Sequence, residues 1–164
     1  DFPAAAGALD HNTTELTGTI ESVFGAENAR SFQALWGDHI DAFVAYTQAL
    51  AGEDEAAQDA AQDRLTGFNS EFANFLSTST DGRLGTAVLA EAFVMHEDML
   101  LKQINAYAAA DYTTAHQVSF EAYQHMFALA DQAAMAIGET VAAGSPKGGA
   151  ETGRGGMAAA FADG

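Results

Sequence analysis

The chain has 164 residues, 23 acidic side chains against 6 Lys+Arg, a formal charge of −17 and no cysteine. That length suits one domain whose core is large enough to fold without a disulfide or a structural metal. The charge excludes nucleic-acid binding by phosphate neutralisation and argues against anionic membranes. No uncharged apolar run approaches the ~18 to 20 residues that cross a bilayer, and a hydrophobic content of 48% excludes wholesale disorder.

The opening Asp1-Phe2-Pro3-Ala4-Ala5-Ala6-Gly7 reads as the flexible stub that follows a cleaved secretion signal. It predicts a mature protein that is secreted or held at the cell surface. The lack of cysteine fits export without disulfides and fits an intracellular protein equally. Proline occurs only at Pro3 and Pro146, so the stretch between them is free of that helix breaker.

The pattern between the prolines is helical. A short first helix is predicted from about Thr13 to Phe24, ended by Gly25. A second runs from about Glu27 to Leu50, with Phe32, Leu35, Trp36, His39, Phe43, Tyr46 and Leu50 at spacings of three and four. Gly52 ends it, and Asp54 caps a third helix to Leu76 that turns Ala61, Leu65, Phe68, Phe72 and Phe75 inward. After a turn at Ser77 to Gly82, capped by Thr80 or Asp81, a fourth helix carries Leu89, Phe93, His96, Leu100 and Tyr107. Asp111 opens a fifth, expected to bury Phe120, Tyr123, Phe127 and Ile137 and to stop at Gly138.

Four long helices on short connections call for an all-α, up-down four-helix bundle preceded by the short helix. No alternating Val/Ile/Thr run offers a strand. The bundle domain is placed at 1–143 and a glycine-rich tail at 144–164. The tail's apolar end, Met157 to Phe161, is expected to dock on another copy and so build a homo-oligomer.

The chain also reads as two repeated helical hairpins. Leu35-Trp36-Gly37-Asp38-His39 aligns with Phe93-Val94-Met95-His96, each with an aromatic three residues before a mid-helix histidine. In the partner helices, Leu65, Phe68 and Phe72 would match Phe120, Tyr123 and Phe127.

Leu35-Trp36-x-x-His39, the helix bearing His96, and the closing Tyr123-Gln124-His125-Met126-Phe127 together resemble a loosely defined class of secreted bacterial helical-bundle proteins. The resemblance covers roughly Phe32 to Ile137 and implies tandem hairpins and export, with no particular activity. After His39 the chain departs from that class: Phe43-Val44-Ala45 stands where the class has aromatic-Thr-Arg, so no role of that arginine carries over.

The residues that could carry chemistry are histidines and methionines. His39 and His96 fall on apolar stripes, and a buried imidazole must be hydrogen-bonded or ligated, because an unpaired polar group in a dry core costs about 1 to 3 kcal/mol. Tyr46, Tyr107, Tyr123 or Gln103 could satisfy them; so could a metal. Met99 lies one turn beyond His96, and His125 sits beside Met126. Imidazole with thioether is a ligand set suited to copper, Cu(I) above all. The candidate ligands are therefore His39, His96, Met99 and His125. The plainer alternative is a core in which methionine fills gaps and tyrosine satisfies histidine.

Other chemistries fit less well. A di-iron centre needs Glu-x-x-His on two helices, and no acidic residue lies three before His39, His96 or His125. Haem between His39 and His96 is conceivable, without a C-x-x-C-H anchor. Nucleophile elbows and phosphate loops are absent. The acidic run Glu53-Asp54-Glu55 with Asp59 and Asp63 reads as a solvated face that lacks the EF-hand spacing. The sequence thus points to an exported, non-enzymatic metal-binding protein with copper as ligand. The competing expectation is a structural, assembly or interaction module without a metal site.

Overall fold

The computed structural model describes residues 2–144, with side chains described from residue 7 onward. The described chain is all-α, as expected. Its helices are α1 (Phe2–Ala51), α2 (Glu55–Ser79), α3 (Thr86–Ala108) and α4 (Tyr112–Gly144). None is long and apolar enough to cross a membrane. The predicted tail at 144–164 falls, but for Gly144, outside the described residues.

Three expectations about the elements need correction. The short first helix begins at Phe2 rather than at about Thr13, so the described part of the opening stub is helical and belongs to the first arm of α1. Gly25 does interrupt it, with φ 83° and ψ 169°, a conformation open almost only to glycine. In a straight helix Leu9 and Phe43 would stand about 50 Å apart. Instead both line one cleft, so the chain reverses at Gly25 and the first arm lies back along the second. Leu16 and Ile20 of that arm pack against the core. Secondly, α3 is capped by Gly85, with no side-chain hydrogen bond, and Thr80 closes α2 instead. Thr80 is fully buried, and its hydroxyl donates to the Leu76 carbonyl at 2.8 Å. Thirdly, α4 passes through Gly138 to Gly144, because an isolated glycine lowers helix propensity by only about 1 kcal/mol.

The bundle is two hairpins side by side. α1 packs chiefly on α2, α4 on α3, and α2 joins the pairs through α3. The hairpins repeat at an offset of 57 residues, 39 to 96. Asp54 accepts a hydrogen bond from Ala57 N at 3.0 Å and Asp111 from Thr114 N at 3.1 Å. Just before these caps, Glu53 and Ala110 both take left-handed backbone, with φ 55° and 58°. The turn bonds match one for one: Gly52 N to Gln48 O and Ala109 N to Asn105 O, then Asp54 N to Ala49 O and Asp111 N to Ala106 O.

That offset corrects the expected register of the second helices. Leu65, Phe68 and Phe72 correspond to Ala122, His125 and Leu129, not to Phe120, Tyr123 and Phe127. The buried residues of α4 are Ala115, Val118, Ala122 and Ala136. Phe120, Tyr123 and Phe127, expected in the core, are 58%, 64% and 59% exposed. The core centres instead on Phe32, Phe68, Phe72, Leu89 and Phe93 of α1, α2 and α3, and α4 reaches it through Ala136. Against those large rings α4 has room mainly for alanine.

Candidate functional site

A column of rings leads to the site. Phe75, Phe72 and Phe68 of α2 stack in turn, with centroids 6.0 and 5.0 Å apart. The His39 ring of α1 continues the column 4.3 Å from Phe68. Trp36 and Phe43, one turn before and after His39, flank it at 5.1 and 5.0 Å. Helical spacing of three and four thus encloses the imidazole in aromatic surface.

Glu97 of α3 approaches this imidazole, with Nε2 3.8 Å from Oε1. That is beyond hydrogen-bond length. Glu97 Oε2 accepts a 2.8 Å hydrogen bond from Asn69 Nδ2 of α2. Glu97 is 4% exposed and Asn69 is buried with it. The sequence reading missed Glu97, although a signal existed: it lies four residues after Phe93 and eight after Leu89, on the stripe both occupy. An acid on an apolar stripe marks a buried polar site.

Two further histidines extend the group. His96 precedes Glu97 on α3 and lines the same cleft as His39. The ring of His125 on α4 lies parallel to that of His96, with centroids 6.0 Å apart and planes 9° apart. His39 and His96 thus share a cleft, and His96 and His125 share a ring contact, across three helices. Met99 is half-buried one turn beyond His96. His11 and His116 are exposed and stand apart, His11 beside Glu15.

Burial sets the protonation of His39, His96 and Glu97. It pushes His39 down to about 4, with His96 adding to the effect. It pushes His96 down to about 4, with His125 adding. Glu97 is raised to about 7 by burial, against the Asn69 hydrogen bond and with help from Asp98. Near neutral pH the His39 and His96 imidazoles are uncharged, so the His39–Glu97 approach is not a formed ion pair.

The expected phenol partners lie elsewhere. Tyr46 OH pairs with Asn105 of α3, and Tyr107 and Tyr123 are largely exposed. Nδ1 of His39, His96 and His125 and Oε1 of Glu97 are buried without a hydrogen-bond partner in the protein. Four such atoms cost on the order of 4 to 12 kcal/mol, which rivals the whole stability of a typical domain. Among the described residues, no three His, Asp or Glu side chains converge as a group that could hold a metal ion. Parallel rings direct their in-plane lone pairs along parallel planes, so an ion here requires at least one imidazole to turn.

The chain matches no protein-family model, and no curated protein or solved structure matches it.

Proposed function

We propose that this protein binds a transition-metal ion, copper foremost, between α1, α3 and α4, and that it does so outside the cell without catalysing a reaction. The observation that carries this is that His39, His96, His125 and Glu97 each hold a buried polar atom without a partner in the protein. Neutral imidazoles keep their lone pairs available as ligands, and imidazole suits copper, zinc and nickel. His39 and Glu97 offer the first two donors, and their 3.8 Å separation would admit an ion with bonds near 2 Å. His96 and His125 supply the others by turning, and Met99 is the soft donor favouring Cu(I). The charge of −17 draws cations to the surface.

Calorimetric titration of the chelator-stripped protein with Cu(II), Cu(I) and Zn(II) tests the reading. One ion per chain is expected, with copper held most tightly. His96→Ala should weaken binding at least about tenfold. No stoichiometric binding, or identical binding by His96→Ala, would overturn it.

A second reading, an assembly subunit, draws on the apolar face of α4. At the offset of 57, exposed Phe120, Tyr123 and Phe127 correspond to Asp63, Thr66 and Ser70 of α2. One hairpin is polar where the other is apolar, and a second copy of the chain is the occupant of choice for that face. Light scattering with and without residues 144–164, and with Phe120→Asp, separates the tail from the α4 face as the contact.

A further inference from the structure

The fold-back at Gly25 leaves a cleft of about 380 Å³ between the first arm of α1, its second arm and α3. That volume falls in the range of sites for small organic molecules. Leu9 comes from the first arm, and Trp36, Phe43 and Val44 from the second. Its wall also carries the polar side chains of His39, His96, Thr47 and Gln48. The Nδ1 atoms of both imidazoles are buried away from the cleft, which leaves Nε2 as the nitrogen a ligand can reach.

We propose that this cleft binds a small, uncharged, largely apolar molecule bearing one hydroxyl, with a short alkylphenol as the representative ligand. The walls set the apolar body, and Trp36 and Phe43 favour an aromatic one. The imidazoles set the polar end. Nε2 of a neutral imidazole carries either an N–H or a lone pair, and a hydroxyl both donates and accepts, so it can answer Nε2 in either tautomer. A carboxylate would enter a chain of charge −17 beside uncharged histidines, with no cation on the wall to meet it. The inference does not rest on the metal reading. It uses the cleft-facing surface of His39 and His96 and needs no ion.

Trp36 is the chain's only tryptophan, so its emission reports on this wall alone. The full chain, kept in EDTA, is titrated with the neutral fluorophore N-phenyl-1-naphthylamine while energy transfer from Trp36 is read. Saturation at one probe per chain is expected. Displacement by 4-butylphenol should need roughly tenfold less ligand than displacement by butylbenzene or 4-butylbenzoate, a factor set by one hydrogen-bonded group. His96→Phe should remove the preference for the phenol over butylbenzene. Val44→Trp should fill the cleft and abolish probe binding measured by the probe's own emission, with circular dichroism confirming the helices. Leu9→Glu, at an exposed position, gives a variant that cannot empty the core, and it should weaken the probe at least about tenfold. A wild-type chain without saturable transfer, unchanged binding in Leu9→Glu, or a benzoate bound as tightly as the phenol overturns the proposal. Because EDTA is present throughout, such a failure leaves the metal reading untouched, and failed metal titrations leave this one untouched.

Discussion

His125 stands on α4 where Phe68 stands on α2. Each follows its hairpin's histidine at the same interval, 39 to 68 and 96 to 125, and each lies ring to ring with it, at 4.3 Å for Phe68 and 6.0 Å for His125. The second hairpin thus puts an imidazole where the first puts a phenyl, and a third histidine joins His39 and His96. Replacing a good core ring by a half-buried imidazole with a buried, orphaned Nδ1 costs stability, which is the pattern of a site kept for binding. His125→Phe is expected to stabilise the metal-free protein by about 1 to 2 kcal/mol in urea unfolding. The same variant should lose metal affinity at least about tenfold. A destabilised variant would show that the imidazole is satisfied in the folded chain.

The pH dependence of stability follows from three groups with opposed signs. His39 and His96 fall from 6.5 to about 4 on folding. The stability this lends is present above pH 6.5 and is lost as pH drops towards 4, because the unfolded chain takes up protons that the folded one refuses. Glu97 rises from 4.5 to about 7. Its contribution is present below pH 4.5 and is lost as pH rises to 7. Between pH 4.5 and 6.5 two histidines oppose one carboxyl, so net stability should rise by about 1.4 kcal/mol per pH unit. Urea midpoints at pH 5 and 6.5 measure this. Glu97→Gln should roughly double the slope, and His96→Phe should bring it near zero.

Phenylalanines of equal size on α2 and α4 have different roles. Phe68 is 7% exposed and touches His39, Phe72 and Phe93. Phe68→Ala should cost about 3 to 5 kcal/mol. Phe120→Ala, at 58% exposure, should stay within about 0.5 kcal/mol of wild type. Equal losses at the two positions would restore the inward stripe that periodicity alone suggests for α4.

Two backbone positions make opposite demands. Ala110 holds φ 58° with a side chain that disfavours it, so Ala110→Gly should stabilise by about 1 kcal/mol. Gly25 holds φ 83° and ψ 169°, and a Cβ there meets nothing within 4 Å. Gly25→Ala therefore costs through strain alone, about 1 to 3 kcal/mol. It should also loosen the first arm, seen as faster hydrogen exchange around Leu16 and Ile20. Thermal melting of both variants checks the signs.

Much of the bundle was legible because α1, α2 and α3 carry large apolar residues at helical spacing, and because Gly25, Asp54 and Asp111 act where their local chemistry places them. The face of α4 was not. Its sequence holds two stripes, one of aromatics and one of alanine, valine and histidine, and choosing by size selects the wrong one. Only the neighbouring volume decides, since rings already fill the core around Phe72 and Phe93. At the site, His39 and His96 were legible as polar residues on apolar stripes, whereas His125, a flank position expected at the rim of the bundle or in solvent, lies against His96 instead. Glu97 was hidden by its charge, which ordinarily marks a solvated position. The reversal at Gly25 was hidden too, since a helix stop gives no direction for the chain that precedes it.

The central claim is that imidazoles from separate helices close on one ion. Electron paramagnetic resonance of the chelator-stripped protein loaded with one equivalent of Cu(II) tests it most directly, because nitrogen hyperfine structure counts the imidazoles bound. The account predicts a signal from at least two histidine nitrogens, reduced by one in His39→Ala and again in His96→Ala. A spectrum of hydrated copper, or one unchanged by both substitutions, would contradict it.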